Sequence, residues 1–139
     1  WGSKMIKTFI KPMIYNKNRP GSAEQIAGGT YKNFDYYVLN LRTHPTAYID
    51  VSDSPLNGVC YEDIDISCHG GITYSESTLK TVDKKGWFIG WDYAHCGDYM
   101  DYGHADVNNM FPNDKKWTTE EIVEECKNVI DQIVEKYHE

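Results

Sequence analysis

The chain has 139 residues, a formal net charge of −7, and 40% hydrophobic residues. That length suits a single domain with its own core, and the acidic balance argues against non-specific attraction to nucleic acid or to an anionic membrane. No apolar run reaches the roughly eighteen residues of a membrane span. An acidic surface of this kind is compatible with a basic protein partner or a cation.

Four isolated cysteines, Cys60, Cys68, Cys96 and Cys126, form no CxxC pair. Their spacing indicates neither a zinc ribbon nor a dense disulfide framework, and mostly core-facing thiols suit a reducing cytosol. No secretory signal is visible, so we expect a cytoplasmic protein. Residues 1–4 read as a remnant of an expression vector, which leaves one predicted domain over residues 5–139.

Strand-like patterns dominate the first part of the chain. Residues 5–15 alternate in polarity and contain Pro12, which predicts an edge or bulged strand. The GG pair at 28–29 lacks the context of a phosphate-binding loop and predicts a turn. Residues 34–41 and 47–51 are rich in aromatic and β-branched side chains, which predicts a hairpin or two sequential strands.

The clearest period of two runs from 61 to 74 and predicts a half-buried strand that a GG pair ends or bulges. Residues 75–86 are polar and predict a solvated connection. Residues 87–93 carry apolar side chains on both faces, which predicts a central strand. In the segment 61–74, one face holds Ile64, Ile66 and Cys68, and the other holds Asp63, Asp65, Ser67 and His69.

The strongest helix signal begins at Thr118. Thr118 and Glu121 form a capping box, and apolar residues follow at helical spacing. We expect this helix to lay its apolar stripe on one face of a mostly antiparallel sheet, which predicts an α+β fold with a single domain. The stripe consists of Ile122, Cys126, Val129, Ile130, Ile133 and Tyr137.

Ligating side chains are concentrated just after the strand at 87–93. Asp92, His95 and Asp98 carry imidazole and carboxylate groups, which bind divalent metals and transfer protons. With His69 arriving from a neighbouring segment, the candidate metal ligands are His69, Asp92 and His95, and a metal-assisted hydrolase would also use Asp98. The plainer alternative is that both carboxylates accept backbone N–H bonds in tight turns while His95 is a hydrogen-bonded core residue.

Nucleophilic catalysis has less support in the sequence. Cys96 adjoins His95, but adjacent residues of an extended segment point in opposite directions, so Cys96 would need His69 or His104 as its base. A triad of Ser67, His69 and an Asp lacks the GxSxG elbow.

Aromatic side chains near the same loop offer a stacking surface for a base or nucleotide. Packing within the sheet is the simpler explanation for the strand members, whereas Tyr99 and Tyr102 remain candidates for binding. The aromatic set is Trp87, Trp91, Tyr93, Tyr99 and Tyr102. Beyond it, we expect a solvent-facing rim of Asp101, His104 and Asp106.

Three segments together resemble a family of small uncharacterised bacteriophage and prophage proteins. CHGGITYS at 68–75 is similar to that family's HGGxTY segment, and GWFIGWDYAHCGDY at 86–99 is similar to its GWWxGFDxAHxGD segment. TTEEIVEECKNVIDQI at 118–133 is similar to its terminal helix, which carries an EC pair. Trp91 stands where the family has Phe. The resemblance covers roughly residues 44–136.

The resemblance implies an accessory protein that acts in the cytoplasm of the bacterial host. The positions that match its motifs are His69, Gly70, Gly71, Asp92, His95, Gly97 and Asp98.

Two hypotheses follow. In the first, the protein binds and inhibits a host protein connected with defence, or sequesters a small nucleotide-like signalling ligand. In the second, it is a metal-assisted hydrolase with a divalent metal at its His/Asp site. The lack of a complete catalytic signature favours binding, while the oligomeric state is left open. The residues expected to bind are His69, Gly70, Gly71, Asp92, His95, Asp98, Tyr99 and Tyr102.

Overall fold

The computed structural model describes residues 6–15, 23–41, 43–103 and 105–138. Within these ranges six strands form one antiparallel sheet in the order β1-β2-β3-β4-β6-β5, and a long C-terminal helix packs on it. The predicted single α+β domain is therefore confirmed in its fold class, while the expected vector remnant lies outside the described residues. The strands are β1 (Phe9–Ile10), β2 (Glu24–Tyr31), β3 (Phe34–Asn40), β4 (Pro45–Asp50), β5 (Tyr74–Leu79) and β6 (Lys84–Asp92). The helices are α1 (Ala105–Asn108) and α2 (Thr119–Lys136).

The turn predicted at residues 28–29 is wrong, because both glycines lie inside β2. The side chain of Tyr36 crosses over Gly29 from β3, and a Cβ on Gly29 would stand 2.6 Å from the Tyr36 hydroxyl. The turn lies instead at Lys32 and Asn33, which have φ values of 49° and 68°. Two consecutive residues with positive φ form the tight hairpin that joins β2 to β3.

Helix α2 confirms both its predicted start and its predicted apolar stripe. The Thr118 side chain accepts from the Glu121 backbone N–H, and the Glu121 side chain accepts from the Thr118 backbone N–H. The stripe packs across β2, β3 and β4 and contributes to the larger core, which includes Ile49 and Ile89 from the sheet. Its fully buried members are Ile122, Cys126, Val129, Ile130 and Ile133.

Strand β6 lies between β4 and β5, which confirms the predicted central strand at 87–93. Its side chains alternate between two cores: Ile89 and Trp91 face the core beneath α2, and Phe88 faces a smaller cluster with Tyr37 and Tyr48 on the opposite side of the sheet. The strand ends at Asp92. The loop that follows therefore begins at the edge of the core beneath α2.

The predicted strand at 61–74 is wrong as a member of the sheet. Tyr61–Asp63 forms a 3₁₀ turn, and the sheet resumes only at Tyr74, so β5 replaces part of the predicted connection at 75–86. The period of two is nevertheless real, since Ile66 is buried and Ser67 is exposed.

Helix α2 takes the place of a neighbouring strand for this extended segment. The Ser67 N–H donates to Gln132 Oε1 over 2.8 Å, and Gln132 Nε2 donates to the Ser67 carbonyl over 2.7 Å. The Asp65 N–H donates to the Tyr137 hydroxyl in the same way. Side chains of the helix therefore fix the segment that leads into His69.

No helix in the described ranges combines the length and the apolar character that crossing a bilayer requires.

Candidate functional site

Two segments bring the predicted site residues together at one end of the sheet. His69 follows the extended segment held by α2, and His95 follows the end of β6. Their ring centroids lie 5.3 Å apart with an interplanar angle of 79°. The two histidines therefore share one site, although 25 residues of sequence, which include β5 and β6, lie between them.

Asp98 lies at the centre of this site and is only 6% exposed. Its Oδ2 accepts from His69 Nε2 at 2.8 Å and from the His95 backbone N–H at 2.9 Å, while Oδ1 accepts from Trp117 Nε1 at 2.8 Å. Burial works to raise the pKa of the Asp98 carboxyl, but these three hydrogen bonds outweigh burial and hold that pKa below its ordinary value. Asp98 is therefore a buried, ionised carboxylate that orients its neighbours.

The imidazole of His69 packs against two aromatic rings. It stacks on Tyr93 with a centroid distance of 4.8 Å and an interplanar angle of 8°, and Trp117 lies against it at 4.8 Å. Glu125 of α2 is close enough to interact with His69; burial raises the pKa of its carboxyl, and His69 opposes that rise. The position of His69 is thus fixed by stacking and by Asp98 together.

The glycine pair after His69 shapes the site. Gly70 has a φ of 71°, and a Cβ there would stand 2.1 Å from His95 Cε1. Gly71 has a φ of 81°, and its N–H donates to the Cys68 carbonyl to close a turn. Gly70 therefore lets His95 approach the backbone, whereas Gly71 serves the turn itself.

Asp92 lies on the other side of the His95 ring. Its Oδ1 is 3.6 Å from His95 Nε2, and His95 Nδ1 is 3.5 Å from Asp98 Oδ2. Asp92 also accepts the Ala94 N–H, which is the turn role that the plainer alternative predicted for it. Of the described residues that could hold a metal ion, the structure groups His69, His95 and Asp98, whose ligand atoms lie within 4.8 Å of one another.

An open cleft of about 370 Å³ adjoins this cluster. His95, Cys96 and Asp98 line one side of it. The other side is formed by side chains of the following loop and short helix, most of them apolar, and several are strongly exposed. These are Met100, Tyr102, Val107, Met110 and Phe111.

The two tyrosines predicted to bind have different surroundings. Tyr102 lines the cleft and is 52% exposed. Tyr99 instead packs edge-on against Tyr15 at a centroid distance of 5.0 Å, with the Lys116 ammonium 4.7 Å from its ring centroid. Tyr99 therefore contributes packing beside the cleft.

The expected solvent-facing rim is wrong for Asp101, which is buried. It accepts the Gly103 N–H and the Asn108 side-chain amide, and its own N–H donates to the Thr43 carbonyl. Asp106 is exposed as expected, and His104 lies outside the described residues.

The cysteines are only partly core-facing. Cys126 is buried and Cys68 is half-buried, but Cys60 and Cys96 are exposed. Burial raises the pKa of the Cys68 thiol to about 12, so this thiol is not an activated nucleophile. Cys96 is exposed at the cleft.

Sequence reasoning missed Trp117 and, on the apolar side of the cleft, Val107, Met110 and Phe111. Trp117 directly precedes the helix N-cap, where an apolar residue often packs against the first turn, and that signal marks it as fixed in position. Its bond to Asp98 depends on the tertiary fold. Trp91 and Tyr93, by contrast, are buried in the main core, as sheet packing predicted.

The loop that carries Asp98 is tied to the segment before α2. The Lys115 N–H donates to the Gly97 carbonyl at 2.7 Å, and the Tyr99 N–H donates to the Lys115 carbonyl at 2.9 Å. This short parallel bridge between Asp98 and Lys115 places Trp117 beside the carboxylate. The chain leaves the site after Tyr99 and returns to it at Lys115.

This arrangement can hold a cation between imidazole and carboxylate groups. The apolar cleft beside these groups can receive a ligand or a partner.

Comparisons of the chain with models of known protein families, with curated proteins and with solved structures found no match.

Proposed function

We propose that the protein is a phage-type accessory factor that acts by binding, and that its cleft receives a segment of a basic host protein. The observation that carries this proposal is the exposure of large apolar side chains around the cleft. Met110 is 62% exposed and Phe111 is 64% exposed, in a cleft that Tyr102 also lines. Clustered exposed apolar and aromatic side chains are typical of protein interaction surfaces.

The charges around the cleft favour a basic partner. Asp114 lines it with a carboxylate, and the whole chain carries a formal charge of −7. An anionic nucleotide would meet this carboxylate, whereas an Arg or Lys side chain with apolar neighbours would meet complementary groups. A basic protein segment is therefore the better occupant than a small nucleotide-like ligand.

The resemblance of the segments at 68–75, 86–99 and 118–133 to phage proteins supplies the biological setting of the proposal. In that setting the protein acts in the cytoplasm of an infected or lysogenic bacterium and inhibits a defence-related host protein by occupying its surface.

The test is capture of a host protein by wild type and by a Met110→Ser/Phe111→Ser variant, both immobilised and exposed to bacterial lysate. Val134→Ser is the matched control, because Val134 is an exposed apolar residue on α2. We expect one host protein to bind wild type and the control but not the cleft variant, and the purified pair to reproduce this by calorimetry. Equal capture by all three proteins would refute the proposal. Co-purification of a nucleotide without any protein partner would instead support the alternative in which the cleft binds a small ligand.

A second candidate, a metal-assisted hydrolase, is favoured by the convergence of His69, His95 and Asp98. It requires turnover of an ester or phosphodiester probe by metal-supplemented protein. That activity should disappear in His95→Ala, and an unchanged rate in this variant would exclude the candidate.

A further inference from the structure

We infer that His69, His95 and Asp98 form a binding site for one divalent transition-metal ion of the zinc type. His69 binds through Nε2, His95 through Nδ1, and Asp98 through Oδ2. The inference is independent of the host partner proposed above, because metal binding is measured on the isolated protein.

The separations between the ligand atoms suit such an ion. His69 Nε2 lies 2.8 Å from Asp98 Oδ2, and His95 Nδ1 lies 3.5 Å from the same oxygen. Ligands bound at about 2.0–2.2 Å from zinc stand roughly 3.0–3.5 Å from each other in tetrahedral or octahedral geometry. Two edges of the coordination polyhedron are therefore close to their final length. One ligand atom from each of the three residues lies within 4.8 Å of the others, so the remaining edge shortens when the ion binds.

The nitrogen of His95 that faces Asp98 lacks a hydrogen-bond partner. Nδ1 is buried and has no hydrogen-bond partner, although buried polar atoms almost always have one. Asp92 lies 3.6 Å from the opposite nitrogen, Nε2, and a proton on Nε2 directed at Asp92 leaves a bare lone pair on Nδ1. A lone pair and a carboxylate oxygen then face each other across 3.5 Å. A cation between them satisfies both groups.

Asp92 then holds the His95 ring in position without itself binding the ion. Metal-bound histidines usually donate their second ring N–H to a carboxylate or carbonyl, which fixes the ring and its tautomer. Gly70 supplies the opposite restraint, since the His95 ring lies against its backbone.

Binding of the ion leaves the number of protons on His69 unchanged. Without the ion, His69 Nε2 carries the proton that is donated to the Asp98 carboxylate, because a carboxylate can only accept. With the ion, the Nε2 lone pair binds the metal, and the ring takes up a proton on Nδ1 from solvent while releasing the one on Nε2. The neutral ring changes tautomer with no net gain or loss of protons.

Three protein ligands leave at least one coordination position for water or for a ligand atom. The side chains of His69 and His95 are 25% and 37% exposed, and the cleft begins at His95 and Asp98. The open position therefore faces solvent beside the cleft. Nitrogen and oxygen ligands without thiolate suit Zn²⁺ and Co²⁺, which are the probes for the test.

The experiment uses a Cys60→Ser/Cys96→Ser background, because both thiols are exposed and would bind zinc on their own account. Chelator-stripped protein is titrated with Zn²⁺ by calorimetry and with Co²⁺ by visible absorption. We expect one ion per chain and the d–d bands of four-coordinate or five-coordinate cobalt without a thiolate charge-transfer band.

Variants test the assignment of each ligand. His69→Gln and His95→Gln should each weaken Zn²⁺ binding by more than about 100-fold, and Asp92→Asn by about 10-fold to 100-fold as an outer partner. His138→Gln is the control and should bind like the parent protein, because His138 is exposed at the end of the described chain.

Imidazole ¹⁵N spectra of the parent protein provide a measurement that does not depend on the folding of any variant. Zn²⁺ should shift His69 Nε2 and His95 Nδ1, while His138 stays unchanged. Absence of stoichiometric binding, unchanged nitrogen shifts, or binding that survives His69→Gln/His95→Gln would each overturn the inference. Running the host-capture assay in chelator separates this result from the fate of the proposed partner.

Discussion

The imidazole of His95 lies directly against the backbone of Gly70, so closely that a Cβ on residue 70 would stand 2.1 Å from Cε1 and 2.4 Å from Nε2 of the ring. This contact joins the turn after His69 to the loop after β6. The two halves of the cluster therefore depend on the absence of a side chain at one position.

Gly70→Ala should be more destabilising than Gly71→Ala. Both residues have positive φ, which costs roughly 1–2 kcal/mol for an alanine. Only Gly70 has the His95 ring in the way, since a Cβ on Gly71 meets nothing within 4 Å. We expect an additional cost of about 1–3 kcal/mol for Gly70→Ala from this overlap. Urea unfolding of the matched pair measures the difference, and equal losses would contradict the contact.

Asp98→Asn should lower the free energy of unfolding at neutral pH by about 3 kcal/mol, because a buried charge with three donors is replaced by a neutral amide. The folded-state pKa of Asp98 lies below its unfolded value, so its contribution is complete above the unfolded value and is lost as pH falls through the folded one. The gap between wild type and variant should therefore shrink below about pH 4. Chemical denaturation at several pH values tests this, with exposed Asp106→Asn as the control. A gap that stays constant down to pH 2 would show that the carboxylate is not the cause.

Trp117→Phe should be more costly than Trp87→Phe. The Trp117 indole donates to the charged Asp98, whereas the Trp87 indole donates to the neutral Val59 carbonyl. Hydrogen bonds to charged groups contribute about 1.5–3 kcal/mol, and neutral ones about 0.5–1.5 kcal/mol. Both rings are half-buried and lose the same N–H, so the pair is matched. Thermal unfolding gives the comparison, and the reverse order would mean that ring packing outweighs the hydrogen bonds.

Gln132→Ala should release the segment before His69 without unfolding the helix. The Gln132 amide makes two hydrogen bonds to the Ser67 backbone, whereas Tyr137 and Lys136 hold only the Asp65 backbone of that segment. We expect the Ser67 amide proton to exchange with solvent at least about 10-fold faster, which corresponds to roughly 1.4 kcal/mol of local opening. Exposed Glu124→Ala on the same helix is the control. Unchanged exchange at Ser67 would show that another contact holds the segment.

Local patterns predicted the parts of the fold that local forces decide. The capping box at Thr118 and the stripe from Ile122 to Ile133 depend on neighbours within one helix, and both appear as expected. The central position of β6 was visible because both of its faces are apolar. The concentration of His and Asp after that strand includes His95 and Asp98, which lie beside His69 in the structure.

Interactions between distant residues caused the errors. The alternation around Ile66 does not distinguish a sheet strand from a segment held by Gln132, which is 65 positions away from Ser67. The glycines of β2 resemble a turn until Tyr36 is seen crossing them. Asp101 resembles a solvent-facing residue until Asn108 and Thr43 supply its partners.

The bridge between Asp98 and Lys115 closes the base of the loop that carries Tyr102, Met110 and Phe111. The entropic cost of closing a loop rises only slowly with its length, by about 0.6 kcal/mol for each doubling. Changes of length between Met110 and Asp114, outside the bond from Asn108 to Asp101, therefore cost little closure entropy and leave His69, His95 and Asp98 in place.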